Sequence, residues 1–217
     1  MKHKLEADSI QLAFNNRKIL SDIYLKCETG KITGLVGRNG QGKSCLMQII
    51  YGSLKCEKSV RIDNLSQPEA FKKPDFLKYL PQFNFIPKQL SLKRIFKDYE
   101  LDYSPFEKKF PEFASKYKSS IGSLSGGENR IVELYVIVKS KSQFAMLDEP
   151  FTHLSPVQTE KIKELLTKEK ANKGLLITDH MFNHVTEIAD AIYVLVNGKT
   201  HLINNLEEIE ILGYVRF

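Results

Sequence analysis

Residues 37–44 read Gly37-Arg38-Asn39-Gly40-Gln41-Gly42-Lys43-Ser44, which fits the pattern G-x4-G-K-S/T. The apolar run at 31–37 predicts a buried strand before this loop, and the amphipathic run at 44–54 predicts a helix after it. Glycines let consecutive backbone N–H groups turn toward phosphate oxygens, and a helix N-terminus adds its positive end. We therefore expect Lys43 to reach the β- and γ-phosphates of a nucleotide and the Ser44 hydroxyl to bind Mg²⁺. This motif alone predicts a nucleoside triphosphate site and leaves kinases and GTPases open.

Two adjacent acids, Asp148 and Glu149, follow the short apolar run at 144–147. A buried parallel strand delivers the residues at its carboxyl end to the ligand crevice of an α/β sheet. We expect Asp148 to hold Mg²⁺ through water and Glu149 to polarise the water that attacks the γ-phosphate. Lys43 and the metal would then take up the charge that develops.

A second anion-binding feature is predicted at Leu124-Ser125-Gly126-Gly127-Glu128. Ser125 and Glu128 have the spacing of a capping box, which predicts a helix that begins after Ser125. Two glycines beside the backbone amides of a helix N-terminus make another anion site in the same chain. One nucleotide does not need two such loops unless they come from different subunits.

The predicted elements alternate between strands and helices, which favours an α/β nucleotide-binding core. Residues 4–14 and 19–27 predict two strands joined by a turn at Asn15-Asn16, 59–63 an edge strand, and 77–80 a short strand. The runs at 144–147 and 174–178 predict parallel strands buried on both faces, and Asn197-Gly198 predicts a hairpin turn. Residues 83–140 are rich in Phe and Lys and contain three prolines, which predicts an inserted helical subdomain. We expect one domain over 1–217, with its core at 1–82 and 141–217.

The 217 residues carry a net charge of +6, with a sequence pI near 9.0. This charge suits nucleic acid and an anionic membrane leaflet equally. Lysines between 161 and 173 alternate with glutamates, which predicts a solvated helix face. The longest apolar run, Ala191 to Val196, is far short of the roughly 20 residues that span a membrane, and the first residues do not resemble a signal peptide. We therefore expect a cytosolic protein.

Five motifs in this order resemble those of the ATP-binding subunits of ABC transporters, over essentially the whole chain. They are the loop at 37–44, YLPQ at 79–82, LSGGE at 124–128, MLDEP at 146–150 and ITDH at 177–180. The resemblance implies a P-loop NTPase core with an antiparallel β subdomain and an inserted α-helical subdomain. The wording of these motifs, together with the aromatic tail at 212–217, is similar to that of the lipopolysaccharide-export and branched-chain amino-acid transporter groups.

In this family two subunits pack head to tail and sandwich each ATP between the phosphate loop of one and the LSGG segment of the other. The resemblance implies that Ser125, Gly126 and Gly127 contact the γ-phosphate of the partner's ATP. It also implies that Gln82 senses Mg²⁺ and the attacking water, that His180 contacts the γ-phosphate, and that Phe14 stacks on adenine. The remaining nucleotide contacts are then Gly37, Asn39, Gly40, Gly42, Lys43, Ser44 and Cys45, the metal set is Ser44, Gln82 and Asp148, and the catalytic set is Lys43, Gln82, Glu149 and His180.

Three positions depart from the family pattern. Ser155 replaces the usual aspartate in the loop after MLDEP, His153 is bulkier than the usual Gly or Ala, and Val136 stands where many relatives have arginine. Ser155 still fits the start of a helix. The segment 131–138 is so rich in Val and Ile that propensity alone permits a strand, but the resemblance favours a helix. Because a carboxylate is missing at Ser155, we expect ATP binding with slow hydrolysis in the absence of a partner.

The resemblance implies ATP and Mg²⁺ as cofactors, a second copy of the chain and membrane permease subunits as partners, and no nucleic acid. The protein would then lie at the inner face of the cell membrane, with a groove around residues 82–100 receiving the permease. Two alternatives stay open: a soluble ABC-type ATPase acting on nucleic acid or ribosomes, and an ATP-binding regulatory module with low turnover. The first class normally carries two cassettes or a coiled-coil insertion, neither of which this sequence contains. The missing carboxylate at Ser155 leaves the regulatory module open as the second alternative.

Overall fold

The computed structural model describes residues 2–205 and 207–211, so the aromatic tail at 212–217 lies outside the described residues. The described residues form eleven strands: β1 (Lys4–Phe14), β2 (Arg17–Leu20), β3 (Tyr24–Glu28), β4 (Ile32–Val36), β5 (Glu57–Ile62), β6 (Leu65–Ser66), β7 (Leu77–Leu80), β8 (Phe144–Asp148), β9 (Gly174–Thr178), β10 (Ala191–Val196) and β11 (Lys199–Ile203). They also form seven α-helices: α1 (Lys43–Tyr51), α2 (Leu92–Asp98), α3 (Ser104–Lys109), α4 (Gly126–Lys139), α5 (Pro156–Glu169), α6 (Phe182–Thr186) and α7 (Glu207–Ile211). None of the helices in these two ranges has the length and apolar character that a membrane crossing needs.

An antiparallel sheet contains the first strands, in the order β2-β1-β5-β6, with β3 also paired to β1. Phe14 pairs with Arg17 across Asn15-Asn16, whose φ angles of 46° and 64° belong to a type I′ turn. Asn is one of the few residues that tolerate this backbone. The predicted turn is therefore confirmed, and Asn197-Gly198 likewise joins β10 to β11 with φ angles of 50° and 77°.

Two strand predictions in this sheet are wrong. The predicted strand at 19–27 is two strands, β2 and β3, because the N–H groups of Ser21 and Asp22 bond to the carbonyl of Gly198 and leave the β1 ladder. The predicted edge strand at 59–63 corresponds to β5, which lies between β1 and β6. Strand β6 follows a turn at Asp63-Asn64 with two positive φ angles, and this pair lacks the glycine that marks such hairpins most clearly.

A six-stranded sheet carries the candidate site, in the order β11-β10-β4-β9-β8-β7. Strand β11 runs antiparallel to β10, and the other pairs are parallel. Every residue of β4, β8 and β9 is buried, as predicted for strands covered on both faces. Ala145 and Leu147 of β8 pack with α4 and α5, whereas Phe144 and Met146 pack with α1 and the antiparallel sheet. This architecture confirms the predicted α/β class.

Helices α2, α3 and α4 lie between β7 and β8 in the chain, within the segment predicted to be an inserted helical subdomain. The boundaries of that subdomain stay a prediction. The Val- and Ile-rich segment 131–138 is helical, as the resemblance implies, and Val136 is fully buried. Helix α4 packs against β7, β8 and α5, and its Tyr135 ring contacts those of Phe96 and Phe106. A helix that is covered all round can be apolar all round, so packing overrides the strand propensity.

The predicted solvated face at 161–173 is partly wrong. Lys163 and Lys173 are only 6% and 3% exposed. Lys163 pairs with two glutamates, Glu160 within α5 and Glu187 at the end of α6. Helix α5 ends at Glu169, before Lys173. Lys173 therefore leaves the helix face and enters the protein beside the start of β9.

Candidate active site

The predicted phosphate loop connects β4 to α1. The helix begins at Lys43 and ends at Tyr51, three residues before the predicted end, because Gly52 adopts a φ of 93° that terminates it. Gly42 caps the N-terminus with a φ of 100°, a value that residues with a side chain rarely adopt. No side chain caps this end of α1 and no acid lies in its first turn. Its N–H groups are therefore free to bind an anion.

Lys43 is 6% exposed, and its ammonium contacts the loop itself. Its Nζ donates to the carbonyl oxygen of Gly37 at 2.6 Å and to that of Arg38 at 3.3 Å. Burial lowers the pKa of Lys43, and the carboxylates of Glu149 and Asp148 oppose that shift. A buried cation thus lies near two acids, an arrangement that can hold phosphate and metal together.

A cavity of about 620 Å³ opens at the carboxyl edge of the parallel sheet. Residues that follow four strands meet there: the phosphate loop after β4, Gln82 after β7, Glu149 after β8 and His180 after β9. Phe14, at the end of β1, reaches the same cavity. The lining residues are Phe14, Ile19, Asn39, Gly40, Gly42, Lys43, Ser44, Cys45, Gln82, Glu149 and His180. All but Ile19 belong to the predicted nucleotide or catalytic sets, and Gly37 lies buried behind Lys43.

Asp148 lies behind this cavity and is 1% exposed. Ser44 Oγ donates to its Oδ1 at 3.2 Å, and the hydroxyl of Tyr79 donates to its Oδ2 at 3.0 Å. Burial raises the pKa of Asp148, and these two hydrogen bonds oppose the shift. Tyr79 belongs to none of the predicted sets. The pairing of β7 with β8 brings it beside an acid 69 residues away, and no local pattern marks such a contact.

The oxygen atoms at this point fit a magnesium ion. Ser44 supplies a hydroxyl and Asp148 a carboxylate, and Mg²⁺ usually binds one or two carboxylates together with phosphates and water. Within residues 2–205 and 207–211, no cluster of three or more His, Cys, Asp and Glu side chains could hold a metal ion. Nucleotide phosphates and water are the usual further ligands of such an ion.

Glu149 has a left-handed backbone, with a φ of 51°, which is uncommon for a residue with a side chain. Its N–H donates to the carbonyl of Thr178 at 2.8 Å. Its Oε2 accepts from Gln82 Nε2 at 2.9 Å and from Thr152 Oγ1 at 3.4 Å. His180 Nδ1 lies 3.7 Å from the same oxygen. The structure thus brings together three residues of the predicted catalytic set around one carboxylate oxygen.

Two buried charged residues near Glu149 are absent from the predicted sets. Asp179 accepts N–H groups of Met181 at 2.9 Å and of Phe151 at 3.3 Å, so it joins the segments that follow β9 and β8. Burial raises the pKa of Asp179, and the hydrogen bond from Met181 opposes this. Arg130 of α4 bonds to three backbone carbonyls that lie 18 to 49 residues away. No local motif marks Arg130, because its carbonyl partners are distant in the sequence. Asp179 lies within the ITDH segment, but its bond to Phe151, 28 residues away, has no local signal.

The LSGGE segment begins α4 and lies outside the lining of this cavity. Ser125 Oγ accepts the N–H of Glu128 at 3.3 Å, and Glu128 Oε2 accepts the N–H of Ser125 at 3.0 Å, which confirms the predicted capping box. Ser125 and Gly126 are exposed. A Cβ atom at Gly127 would lie 2.5 Å from the carbonyl oxygen of His153, so this close approach requires glycine.

Ser155 begins α5 with a second capping box. Its Oγ accepts the N–H of Gln158 at 3.3 Å, and Gln158 Oε1 accepts the N–H of Ser155 at 3.0 Å. The predicted helix start is therefore confirmed. Serine keeps the cap at this position but supplies no carboxylate.

Comparison with known proteins agrees with this geometry. A family model described as ABC transporter matches residues 20–152. The lipopolysaccharide export system ATP-binding protein LptB of Haemophilus influenzae is 28% identical over 212 residues, which are 90% of this chain and 88% of that protein. The high-affinity branched-chain amino acid transport ATP-binding protein BraG of Pseudomonas aeruginosa is 23% identical over 209 residues, 90% of each chain.

The fold is also that of a known structure. A solved ATP binding subunit of an ABC transporter superposes with a TM-score of 0.79 at 20% identity, covering 95% of this chain and 92% of that one. The predicted fold and family resemblance are confirmed, and the alternative of a nucleic-acid or ribosome ATPase is not favoured. Because the family model matches more than half of its residues, the chain belongs to the ABC transporter family, as a subunit that binds and hydrolyses ATP.

Proposed function

We propose that the chain binds MgATP in the cavity at the carboxyl edge of the parallel sheet, pairs with a second ABC subunit around two nucleotides, and drives membrane subunits of a transporter. One observation carries the proposal. The cavity unites the phosphate loop with Gln82, Glu149 and His180, which come from separate parts of the chain. Phosphate positioning and water activation need side chains of these types.

Phe14 and the phosphate loop would hold the nucleotide. Phe14 lines the cavity and is 49% exposed, a position from which its ring can stack on adenine. The uncapped N–H groups at the start of α1 and the ammonium of Lys43 favour phosphate oxygens. The proposed phosphate contacts are Gly37, Asn39, Gly40, Gly42, Lys43, Ser44 and Cys45.

Ser44 and Asp148 would hold Mg²⁺, with Gln82 nearby. An ion held by these residues would neutralise charge on the phosphate oxygens. Asp148 binds a cation in its ionised form, and the hydrogen bonds from Ser44 and Tyr79 favour that form against the effect of burial. Tyr79 therefore helps prepare this carboxylate for its role.

Glu149 would act as the general base in hydrolysis. The Gln82 amide and the Thr152 hydroxyl both donate to Oε2, which leaves Oε1 to take the proton from the attacking water. His180 would contact the γ-phosphate, and Lys43 would take up negative charge on the phosphate oxygens as the bond breaks.

A second subunit would complete each site. Ser125, Gly126 and Gly127 begin a 14-residue helix away from the cavity that holds Lys43 and Glu149. Their N–H groups, at the positive end of α4, suit the γ-phosphate of a nucleotide bound to another copy. The exposure of Ser125 and Gly126 is consistent with such an interface.

The proposed partners of the ATP-bound pair of subunits are the membrane subunits of a transporter. The relatives are ATP-binding proteins of a lipopolysaccharide export system and of a branched-chain amino acid transport system. Phe83 follows Gln82 and is 68% exposed, with Asn84 exposed beside it. An apolar ring next to a catalytic residue suits a contact through which a partner at the inner face of the membrane senses the site.

The Glu149→Gln chain, tagged and expressed in its native cell, tests this function. This variant loses the base but keeps every proposed nucleotide contact, so MgATP should trap it on its partners. After extraction in mild detergent, we expect a polytopic membrane protein to co-purify. The matched control adds Lys43→Ala, which removes the phosphate contact and should abolish the MgATP-dependent capture. Recovery of ribosomes or nucleic acid with no membrane protein would overturn the transporter role.

A further inference from the structure

Arg130 is 3% exposed and its guanidinium joins two segments of the active site. Its Nη1 donates to the carbonyl of Pro81 at 2.7 Å, immediately before Gln82. Its Nη2 donates to the carbonyl of Glu149 at 2.9 Å and also to that of Asp148. A single side chain of α4 therefore holds the ends of both β7 and β8.

Glu133 lies one turn further along α4 and is fully buried. Its Oε1 accepts the N–H groups of Phe85 at 2.8 Å and of Ile86 at 3.0 Å. Arg130 thus holds the chain just before Gln82, and Glu133 holds it just after Asn84. The exposed segment 82–84 is fixed at both ends by the same helix.

The backbone of Glu149 needs such support. A left-handed conformation at a residue with a side chain is strained and persists only where its surroundings enforce it. Arg130 bonds to the carbonyl of Asp148, which precedes Glu149, and to the carbonyl of Glu149 itself, while the Glu149 N–H bonds to Thr178. These bonds fix the direction in which the Glu149 side chain leaves the backbone.

We propose that Arg130 and Glu133 are positioning residues for ATP hydrolysis. From α4 they fix the backbone of Glu149 and of the segment that carries Gln82, and so form the 2.9 Å contact between Gln82 Nε2 and Glu149 Oε2. The inference rests on the proposed role of Glu149 as the base. Helix α4 begins at the loop proposed to contact the partner's nucleotide. The same helix would therefore couple binding of the second subunit to the position of the Glu149 side chain.

Steady-state hydrolysis of radiolabelled MgATP by Arg130→Met and Arg130→Lys tests the proposal. Displacing a catalytic group by about 1 Å costs on the order of 100-fold in rate. We therefore expect kcat to fall about 100-fold in Arg130→Met and less in Arg130→Lys, with KM and MgATP affinity within about 2-fold of the unmodified chain. Arg61→Gln is the matched control, since Arg61 lies on β5 of the antiparallel sheet, pairs with Asp8 and does not line the cavity. It should leave kcat unchanged.

A double-mutant cycle separates positioning from general destabilisation. If Arg130 acts through Glu149, Arg130→Met should lower the residual rate of the Glu149→Gln chain no further. The proposal would be overturned if the fold-losses in kcat of the two single variants multiplied in the double variant. A kcat of Arg130→Met within about 2-fold of the unmodified chain would also overturn it. Should Arg130→Met unfold, the kcat values of Glu133→Leu and Glu133→Gln provide the test. Only Gln keeps an acceptor for the N–H groups of Phe85 and Ile86, so Glu133→Gln should have the higher kcat. Equal rates in these two variants would count against it.

The dependence of hydrolysis on Lys43, Glu149, Arg130 and Glu133 shows whether the positioning role alone is wrong or the proposed function as well. If the unmodified chain shows no hydrolysis that depends on Lys43, both are overturned. If hydrolysis depends on Lys43 and Glu149 but not on Arg130 or Glu133, the positioning role alone is wrong.

Discussion

Lys173 is a buried lysine far from the nucleotide cavity, at the opposite edge of the parallel sheet. Its Nζ donates to the carbonyl of Ser140 at 2.6 Å and to the hydroxyl of Ser142 at 3.2 Å. Burial lowers its pKa to about 8 from the ordinary value of 10.5. An unfolded chain therefore binds this proton more tightly than the folded one between these two pH values.

This difference makes stability rise with pH. The contribution of Lys173 is present above pH 10.5 and is lost as the pH falls through about 8. Relative to Lys173→Met, the unmodified chain should gain unfolding free energy between pH 7.5 and pH 10, by at most about 1.4 kcal/mol per pH unit. Urea unfolding at several pH values measures this. Lys168→Met, at an exposed position, is the control, and parallel pH profiles for Lys173→Met and the unmodified chain would contradict the assignment.

At this scale the sequence predicted the residues that belong to contiguous motifs. Lys43 and Ser44 share one loop, so their spacing alone indicates their chemistry. Tyr79 and Arg130 could not be predicted, because their polar partners become neighbours only when β7, β8 and α4 pack together. The same applies to Lys173, which reads as a surface lysine until α5 is seen to end before it.

At the scale of the elements, capping boxes and two-residue Asn turns could be predicted from the sequence, because each involves only residues that are close together in the chain. The capping box at Ser125, the helix start at Ser155 and the turn at Asn15-Asn16 form as predicted. The split between β2 and β3 was not readable, since it depends on the carbonyl of Gly198, about 177 residues away in the chain. The placement of β5 inside its sheet likewise depends on β6, a strand of two residues.

The contact between the start of α4 and the segment before α5 gives a prediction at this scale. Gly127→Ala should lower the unfolding free energy by about 1–3 kcal/mol, because its Cβ would overlap the His153 carbonyl at 2.5 Å. Gly126→Ala is the matched control: its Cβ meets nothing closer than the His153 ring at 3.9 Å. Urea unfolding of both variants measures the difference. Equal stability of the two variants would show that this contact is not as tight as described.

At the scale of the whole molecule, the site is assembled at the carboxyl edge of the parallel sheet, where the ends of several strands meet. Parallel strands β4, β8 and β9 each end in a motif residue or directly before one, so a shared cavity could be predicted. The part played by α4 could not, because it depends on how a helix packs across β7 and β8. The role of a second copy is likewise a prediction from the family resemblance.

Ser155 should affect hydrolysis in the proposed dimer. We expect the isolated chain to bind MgATP and to hydrolyse it slowly, since Ser155 offers no carboxylate across the proposed interface. Ser155→Asp keeps a favoured N-cap residue, so its unfolding free energy should change by less than about 0.5 kcal/mol while its steady-state ATPase rate rises. Ser155→Asn caps equally well without the charge and should stay slow. Rapid hydrolysis by the unmodified chain alone would contradict the expectation.

The hydrogen bonds of Lys43 have a consequence for how the site distinguishes its substrate from its product. Gly37 and Arg38 accept two of the three N–H groups of the ammonium, so one N–H group is left for a phosphate oxygen and a second phosphate oxygen would have to displace a carbonyl. The stronger negative charge of a terminal phosphate favours that displacement. Loss of that phosphate returns the advantage to the carbonyls. Release of the spent nucleotide is then aided by the loop that bound it.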